Sequence, residues 1–222
     1  MTQEALAFDM YGTLVDPLRI WTQLEQYLPE SIAVRVAEIW RQKQLEYSFR
    51  LTVMERYEDF EQVTRKALEY ALAAVNGQLT LEQKQHLMQQ YNDLALFPDV
   101  QSGLEQLQAR GHTMVVFSNG TPAMLRAIMQ SAHLEAYFQG FVSVDEIKVY
   151  KPSPKTYQLV ANRVQRRLEE VRLISSNPFD VIGASNAGMQ ATWVNRSHGL
   201  FDTLGEQPPM VVATLEELVE KL

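Results

Sequence analysis

Beyond about residue 98, short apolar runs typical of buried strands alternate with stretches of helical periodicity. Strands and helices that alternate in this way form a parallel sheet covered by helices on both faces, joined by right-handed crossovers. An earlier apolar run, Ala5-Leu6-Ala7-Phe8, supplies one more strand. The pattern predicts strands over residues 5–8, 113–117, 141–144, 171–174, 192–194 and 210–212. It predicts intervening helices over residues 100–109, 122–132, 157–167, 184–191 and 215–222.

The stretch between the first strand and residue 98 interrupts this alternation, because it contains helical patterns and no convincing strand. Asp16-Pro17 has the pattern of a helix start, with an N-cap and a proline in the first turn. Phe97-Pro98-Asp99 indicates a stop followed by a new N-cap. Helices are expected around residues 35–49, 57–75 and 81–91. We therefore predict an α/β fold in which a Rossmann-like core (residues 1–16 and 98–222) carries an inserted α-helical cap domain (residues 17–97).

Composition narrows the class of protein further. The 222 residues carry 20 Lys and Arg against 27 Asp and Glu, a formal charge of −7, and show no basic stripe. We therefore expect no nucleic-acid partner. Cysteine is absent, which excludes disulfides, thiolate metal sites and a cysteine nucleophile. No apolar run approaches the roughly 18 residues of a membrane span, and the first residues lack the pattern of a signal peptide, so we expect a cytoplasmic protein without a membrane partner.

Four polar clusters follow predicted strands or lie close to their ends. In an open parallel sheet, ligands bind outside the carboxyl ends of the strands, so these clusters predict a binding site at one sheet edge. The four histidines are scattered without metal-ligand spacing, and we predict no metal site. The clusters are Asp9-Met10-Tyr11-Gly12-Thr13, Ser118-Asn119-Gly120, Lys151-Pro152, and Ser175-Ser176-Asn177 with Asp180.

These motifs resemble those of the haloacid dehalogenase superfamily and, more narrowly, those of the L-2-haloacid dehalogenases. The resemblance runs essentially end to end and includes the segment Trp40 to Tyr47 and the closing region from Asn195-Arg196 to Leu204-Gly205. It implies a superfamily-type Rossmann-like core with a helical cap. It also implies hydrolysis of short L-2-haloalkanoic acids to D-2-hydroxy acids, through an aspartyl ester and with inversion at C2. The implied partners are the small 2-haloacid and its halide, no cofactor is implied, and a homodimer is expected because family members often pair through cap helices.

The resemblance also implies a role for each matching residue. Asp9 would be the nucleophile, with Thr13 and Ser175 holding its carboxylate through their hydroxyl groups. Arg41 and Asn119 would bind the departing halide, and Ser118 would bind the substrate carboxylate. Lys151 would pair with Asp9, and Tyr157 would lie near that lysine. Asn177 and Asp180 would position the hydrolytic water. Whether Lys151 or Asp180 is the base stays open, as does the alternative that Asp180 only holds Lys151 by an ion pair.

The remaining implied residues bind substrate. Tyr11, Leu45, Phe60 and Phe179 would form an apolar wall, and Gln42 belongs to the matching helix segment. Phe179 departs from the tryptophan expected in family members, which leaves the length of the accepted side chain undetermined. Structural readings compete for several residues: Asp9 as a loop cap, Arg41 as a solvated cation, Asn119 as a turn residue, and Tyr157 and Phe60 as core.

Two other functions compete with dehalogenation. One is a magnesium-dependent phosphatase of the same superfamily. Such phosphatases carry a second Asp two residues after the nucleophile, whereas this chain has Tyr11, whose ordinary pKa of about 10 makes it a poor acid near neutral pH. A halide leaving group needs no proton, so dehalogenation can dispense with that acid. The other is a catalytically silent, ligand-binding relative, which would have no need to retain the full set of polar residues.

Overall fold

A computed structural model describes residues 4–222 of the chain. Its centre is a six-stranded sheet in the order β3-β2-β1-β4-β5-β6, in which every neighbouring pair is parallel. This is the strand order of a Rossmann-type doubly wound sheet. The predicted α/β class is therefore confirmed. The strands are β1 (Ala5–Phe8), β2 (Thr113–Ser118), β3 (Phe141–Ser143), β4 (Val171–Ser175), β5 (Gln190–Val194) and β6 (Met210–Val212).

β1 lies between β2 and β4. Successive strands are added outward from β1, first on one side as β2 and β3 and then on the other side as β4, β5 and β6. Ala5 pairs with Thr113 on one side and with Val171 on the other, and all four residues of β1 are buried. A strand buried on both faces reads as a continuous apolar run, which is why its limits could be predicted to the residue. The residues that follow β1, β2 and β4 consequently meet at one edge of the sheet.

Helices cover the sheet, and others form the long connection after β1. Helix α2 is the longest of these, at 24 residues, and packs against α3. No helix within residues 4–222 has both the length and the apolar character that crossing a bilayer requires. The helices of the connection are α1 (Trp21–Leu24), α2 (Glu30–Val53), α3 (Phe60–Ala74) and α4 (Leu81–Gln90), preceded by a 3-10 turn at Pro17–Ile20. The later helices are α5 (Val100–Ala109), α6 (Pro122–Ser131), α7 (Pro154–Arg163), α8 (Pro178–Ala187) and α9 (Leu215–Lys221).

The connection leaves and rejoins the sheet region at neighbouring points. Val15 forms an antiparallel bridge with Leu96. The amide of Asp16 donates to the carbonyl of Ala95 at 3.0 Å, and the amide of Phe97 donates to the carbonyl of Leu14 at 3.1 Å. The helices α1–α4 therefore form an excursion whose two ends lie side by side.

Two predicted helices were misplaced. Helix α7 begins at Pro154 and ends at Arg163, so residues 164–167 lie outside it. Helix α8 begins at Pro178, six residues before the predicted start, and Gly188 ends it in the left-handed region at φ +96°. Gln190 and Ala191, predicted as helical, begin β5 instead.

Asp99 occupies the predicted N-cap position of α5 but makes no side-chain capping bond. Its carboxylate instead accepts two hydrogen bonds from Arg196, at 2.8 and 2.9 Å, and one from the amide of Leu215 at 2.8 Å. Asp99 therefore ties the start of α9 to the segment after β5, a long-range role that local sequence does not reveal.

Candidate active site

A very small cavity, of about 10 Å³, lies at the carboxyl edge of the sheet, between that edge and helices α2 and α3. Side chains from the ends of β1 and β2, from the loop before α7 and from the start of α8 reach it. Every residue that lines it is a residue singled out from the sequence. The lining residues are Asp9, Tyr11, Arg41, Leu45, Phe60, Ser118, Asn119, Lys151, Asn177 and Phe179.

The carboxylate of Asp9 is fixed by three donors. Its Oδ2 accepts from Thr13 Oγ1 at 3.0 Å and from Asn177 Nδ2 at 2.7 Å. Within residues 4–222, Oδ1 is contacted by one donor, the Nζ of Lys151, at 3.3 Å. The amide of Asp9 donates to the carbonyl of Ile174, so the backbone of this residue is also tied to β4. One carboxylate oxygen is thus held firmly, and the other has a single, longer contact.

Lys151 is almost wholly buried, with 1% of its surface exposed. Its ammonium group donates to Asp9 at 3.3 Å, to Asp180 Oδ2 at 2.9 Å and to the carbonyl of Phe117 at 2.7 Å. These three bonds use the full donor capacity of an ammonium group. The amide of Lys151 donates to Asn119 Oδ1 at 3.0 Å, which fixes the loop that carries the lysine. A charge buried this deeply is tolerated because two carboxylates pair with it.

Asp180 lies behind Lys151 and does not reach the cavity wall. Its Oδ2 accepts from Lys151, and its Oδ1 accepts from the hydroxyl of Tyr157 at 2.8 Å. Burial raises the pKa of Asp180, although the Lys151 ammonium opposes the rise. Burial, followed by the negative charge of Asp180, holds the pKa of Tyr157 well above its usual range, so Tyr157 is a donor here. The ion pair expected between Lys151 and Asp180 is therefore present.

Arg41 is the cationic side chain that α2 contributes to the cavity wall. Its Nη2 donates to the carbonyl of Tyr11 at 3.1 Å and to Asn177 Oδ1 at 3.2 Å. Its Nη1 donates to Gln44 Oε1 at 2.8 Å. Asn177 donates both to Asp9 and to the carbonyl of Tyr11, so the guanidinium of Arg41 joins the same hydrogen-bond network as the Asp9 carboxylate.

Two predicted contacts are absent. The hydroxyl of Ser175 accepts from the amide of Asn177 at 3.1 Å and has no bond to Asp9, because the end of β4 turns it toward its own loop. Gln42 is exposed and does not line the cavity. Adjacent residues of a helix lie about 100° apart around its axis, so Gln42 points away from the face that carries Arg41. The expectations that Ser175 holds Asp9 and that Gln42 binds substrate are therefore corrected.

Ser118 and Asn119 lie at the end of β2 and both line the cavity. The Ser118 hydroxyl accepts from the amide of Gly120 at 3.1 Å. This bond leaves the hydroxyl proton of Ser118 available to a ligand, since the serine acts only as acceptor in it. The side-chain oxygen of Asn119 accepts from the backbone amide of Lys151. The side-chain nitrogen of Asn119 therefore points the opposite way.

The apolar wall is built from aromatic rings. Tyr11 packs against Phe60, with centroids 5.5 Å apart, and stacks on Tyr91 at 5.8 Å. Phe179 meets Phe49 edge-on at 5.0 Å. Burial holds the pKa of Tyr11 well above its usual range, so its hydroxyl stays neutral. Leu45, Phe60 and Phe179 thus line the cavity as expected, alongside the ring of Tyr11.

Comparison with known proteins assigns the family. Residues 3–188 match the model of the haloacid dehalogenase-like hydrolases. The chain is 36% identical over 213 residues to (S)-2-haloacid dehalogenase 2 of Pseudomonas sp. strain CBS-3, covering 96% of this chain and 93% of that protein. The chain belongs to the L-2-haloacid dehalogenase family of these hydrolases.

Further similarities extend across the whole length of this dehalogenase-family chain. It is 34% identical over 216 residues to haloacetate dehalogenase H-2 of Moraxella sp. strain B, covering 97% of this chain and 96% of that protein. The structure of L-2-haloacid dehalogenase from Xanthobacter autotrophicus with chloropropionic acid covalently bound superposes with a TM-score of 0.91 at 33% identity. That comparison covers 99% of this chain and 98% of the other.

The acidic groups of this dehalogenase-family site are arranged around an ammonium group. Within residues 4–222, no three side chains of the metal-ligating kinds are grouped so that they could hold a metal ion. Both carboxylate oxygens of Asp180 already accept hydrogen bonds, one from Lys151 and one from Tyr157. Lys151 therefore balances the charges of Asp9 and Asp180.

Sequence reasoning missed three residues beside Arg41. Gln44 bonds to Arg41, and it is joined by Tyr91 and Thr64 in a buried polar group. A signal for Gln44 existed, because it falls on the same helical face as the buried Trp40 and Ser48, where a polar residue needs a partner. Thr64 comes from α3 and Tyr91 from the turn after α4, and nothing in their local sequence links them to Arg41.

Proposed function

We propose that the chain hydrolyses short L-2-haloalkanoic acids to D-2-hydroxy acids through an ester formed on Asp9. The observation that carries the proposal is the asymmetry of the Asp9 carboxylate. Oδ2 is held by Thr13 and Asn177, whereas Oδ1 makes the longer contact with Lys151. A nucleophilic carboxylate needs this arrangement, in which one oxygen is fixed and the other can approach carbon.

In the first step, Oδ1 of Asp9 attacks C2 of the substrate from the side opposite the halogen. The new O–C2 bond forms as the C2–halogen bond breaks, the halide leaves with the bonding electron pair, and C2 inverts. Arg41 and Asn119 replace the water that the halide loses on entering the cavity. Ser118 donates to the substrate carboxylate. Both Asn119 and Ser118 line the cavity close to Asp9, which supports these roles.

In the second step, water attacks the carbonyl carbon of the Asp9 ester. The acyl C–O bond breaks, the alkyl oxygen leaves as the hydroxyl of the product, and Asp9 regains a carboxylate that contains one oxygen from water. One proton of the water goes to Lys151, as Lys151 passes a proton to Asp180, and the second goes to the departing alkyl oxygen. Asp180 then releases its proton to solvent. The hydrogen bond of 2.9 Å between them and the raised pKa of Asp180 support this relay. The net products are the hydroxy acid, the halide and one proton.

The proposal includes the organisation of the chain. Residues 1–16 and 98–222 form the catalytic core, and residues 17–97 form a cap that closes over the site. Residues 1–3 of that core lie outside the described part of the chain. The cap supplies Arg41, Leu45 and Phe60, and the adjacent Val15 and Leu96 mark where it joins the core. A homodimer and a cytoplasmic location stay predictions.

The competing functions have less support. A magnesium phosphatase would need an acid where this chain has Tyr11, whose pKa burial raises further from neutrality. It would also need free carboxylate oxygens near Asp9, whereas those of Asp180 are occupied. A silent binding relative would have no use for the donors on Asp9 Oδ2 or for the buried Lys151–Asp180 pair.

The decisive experiment measures halide release from (S)- and (R)-2-chloropropanoate separately, in the presence of chelator. We expect release from the S form only. Asp9→Asn should lower the rate by at least roughly 10³-fold, because loss of a nucleophile costs more than this in other covalent enzymes. Circular dichroism of Asp9→Asn controls for folding. No release from either form, with hydrolysis of a phosphate ester that chelator abolishes, would instead support the phosphatase.

A single turnover in ¹⁸O-labelled water tests the covalent step. The product oxygen comes from Asp9 in the first turnover, so label should appear in the Asp9 carboxylate and be absent from the hydroxy acid. Mass spectrometry of the peptide that contains Asp9 and of the product measures both. Label in the product of that first turnover would contradict the ester intermediate and favour direct attack by water.

A further inference from the structure

Gln44 is a fully buried polar residue on α2, and its side chain hydrogen-bonds to Arg41, Thr64 and Tyr91 in the long connection after β1. Its Oε1 accepts from Arg41 Nη1 at 2.8 Å and from the hydroxyl of Tyr91 at 3.0 Å. Its Nε2 donates to Thr64 Oγ1 at 2.7 Å, and Thr64 in turn donates to the carbonyl of Phe60 at 2.6 Å. Gln44 is therefore locked in one orientation from both ends of its amide.

The orientation of this amide is dictated by Arg41. A guanidinium group only donates hydrogen bonds, so the oxygen of Gln44 must face it. The hydroxyl of Thr64 spends its proton on the Phe60 carbonyl and therefore accepts from the Gln44 nitrogen. A flipped amide would lose both contacts. The network thus specifies one placement of the glutamine oxygen and, through it, one placement of Arg41 Nη1.

Fixing Nη1 directs the rest of the guanidinium toward the reacting carboxylate. Nη2 lies on the Tyr11 carbonyl and on Asn177 Oδ1, and Asn177 donates to Asp9. An arginine side chain has several rotatable bonds, and ordering it costs conformational entropy. The hydrogen bond to Gln44 orders the Arg41 side chain before substrate binds, so less entropy is lost on binding. The halide-binding cation is in this sense preorganised.

We propose that Gln44 is a positioning residue that holds the guanidinium of Arg41 where the departing halide develops its charge. The proposal rests on the function proposed above and extends it by assigning the residue that acts through Arg41. Thr64 of α3 and Tyr91 in the turn after α4 complete the hydrogen-bond support of Gln44. Gln44 itself does not line the cavity, so its effect on catalysis passes through Arg41.

The test compares kcat/KM for (S)-2-bromopropanoate and (S)-2-chloropropanoate in Gln44→Met, a variant of similar shape that removes the acceptor. Chloride is the poorer leaving group and depends more on charge stabilisation. We expect kcat/KM to fall by about 10-fold to 100-fold for the chloro substrate, as for loss of one hydrogen bond to a charged group, and by less for the bromo substrate. The bromo-to-chloro ratio should therefore rise.

A double-mutant cycle with Arg41→Lys assigns the effect to Arg41. Arg41→Lys should raise the same ratio, and adding Gln44→Met to it should change little, because both remove one interaction. Ser48→Ala is the matched control. It removes another buried polar group from the same face of α2, a hydroxyl that donates to the carbonyl of Leu45 at 2.7 Å, so it should alter thermal stability without changing the ratio. Equal losses on both substrates, or effects that add in the double variant, would overturn the positioning role.

Two further measurements keep the test decisive. Gln44→Glu keeps an acceptor for Arg41 and should retain a ratio within about three-fold of the wild type; a ratio like that of Arg41→Lys would count against the proposal. Calorimetric titration with bromide needs no turnover, and Gln44→Met should bind bromide at least about 10-fold more weakly. Absence of halide release by the wild-type protein would refute the proposed function, while unchanged bromide affinity in Gln44→Met would refute the role of Gln44.

Discussion

Phe179 is a wall residue whose size would limit the substrate side chain in the function proposed above. It lines the cavity at the start of α8 and is backed by the ring of Phe49. Its neighbours in the polar part of the cavity, Asn177 and Lys151, are held by several hydrogen bonds, whereas Phe179 is held by packing alone. Its volume can therefore be changed without breaking the polar network.

Phe179→Ala should shift preference toward longer substrates. We expect kcat/KM for 2-chlorobutanoate relative to 2-chloropropanoate to rise by about 10-fold, since one methylene in an apolar pocket is worth about 10-fold or more. Phe179→Trp makes the opposite change and should lower the same ratio. Halide release from both substrates measures it. A shift in the same direction for both variants would mean that Phe179 does not limit side-chain length.

Residue by residue, the sequence was most informative where chemistry demands a particular group after a strand. Asp9, Ser118, Asn119 and Lys151 all reach the cavity as expected. It failed for Ser175, because which way a small hydroxyl points depends on competing backbone donors nearby.

The glutamines of α2 show a related limit. Gln42 and Gln44 are both plausible partners within one motif, and the angle around the helix makes Gln44 the buried one. A motif resemblance identifies a segment of the chain that belongs to the site. Only the three-dimensional contacts show which of two neighbouring residues in that segment takes part.

At the scale of elements, the close approach of α7 and α8 brings Tyr157 within hydrogen-bond distance of Asp180, the partner of Lys151. Gly183 of α8 faces the hydroxyl of Tyr157 on α7 and the ring of Pro152, and a Cβ at this position would overlap both. Tyr157 donates to Asp180, which also lies on α8. A glycine is thus required here for proximity between helices.

Gly183→Ala should therefore force the two helices apart. Overpacking of this kind costs about 1–3 kcal/mol of stability. It should also lower kcat/KM by roughly 10-fold, because the Tyr157–Asp180–Lys151 chain loses its geometry. Ser185→Ala, at an exposed position of the same helix, is the matched control and should do neither. Urea unfolding and halide release measure the two effects, and equal behaviour of both variants would show that the helices adjust without cost.

Element limits were predicted well where an apolar period began and ended sharply, as in β1 and α5. They were wrong for α8 because it begins at a proline directly after Ser175-Ser176-Asn177, which has the composition of a loop. The signals for its true ends were Pro178 at the first turn and Gly188 at the close. A proline and a glycine of this kind mark the ends of a helix only when the residues between them also have the apolar spacing of a helix.

At the scale of the whole molecule, buried tyrosines make stability depend on alkaline pH. Burial raises the pKa of Tyr11, Tyr91 and Tyr157. In the unfolded chain these hydroxyls ionise near pH 10, while in the folded chain they keep their protons to higher pH. The folded state then binds more protons than the unfolded state, so the free energy of unfolding falls as pH rises through 10.

Each of these three tyrosines should contribute a loss of about 1.4 kcal/mol per pH unit above pH 10. Urea unfolding from pH 8 to pH 11, with tyrosinate absorbance at 295 nm followed in parallel, measures the slope. Tyr91→Phe should reduce the slope by about one such contribution. Reversible ionisation of all tyrosines near pH 10 in a protein that stays folded would contradict the prediction.

The central position of β1 bears on how the chain folds during its synthesis. Both partners of β1 come late: Ala5 pairs with Thr113 and with Val171. On the ribosome, β1 therefore waits for β2 to emerge before it gains one neighbour, and for β4 before it gains the other. The helices α1–α4 precede both and make their main contacts with one another, so they can form while β1 is still unpaired. Until β4 has been made, the apolar residues of β1 lack one of the two strands that flank them in the folded sheet, and they need protection from other nascent chains.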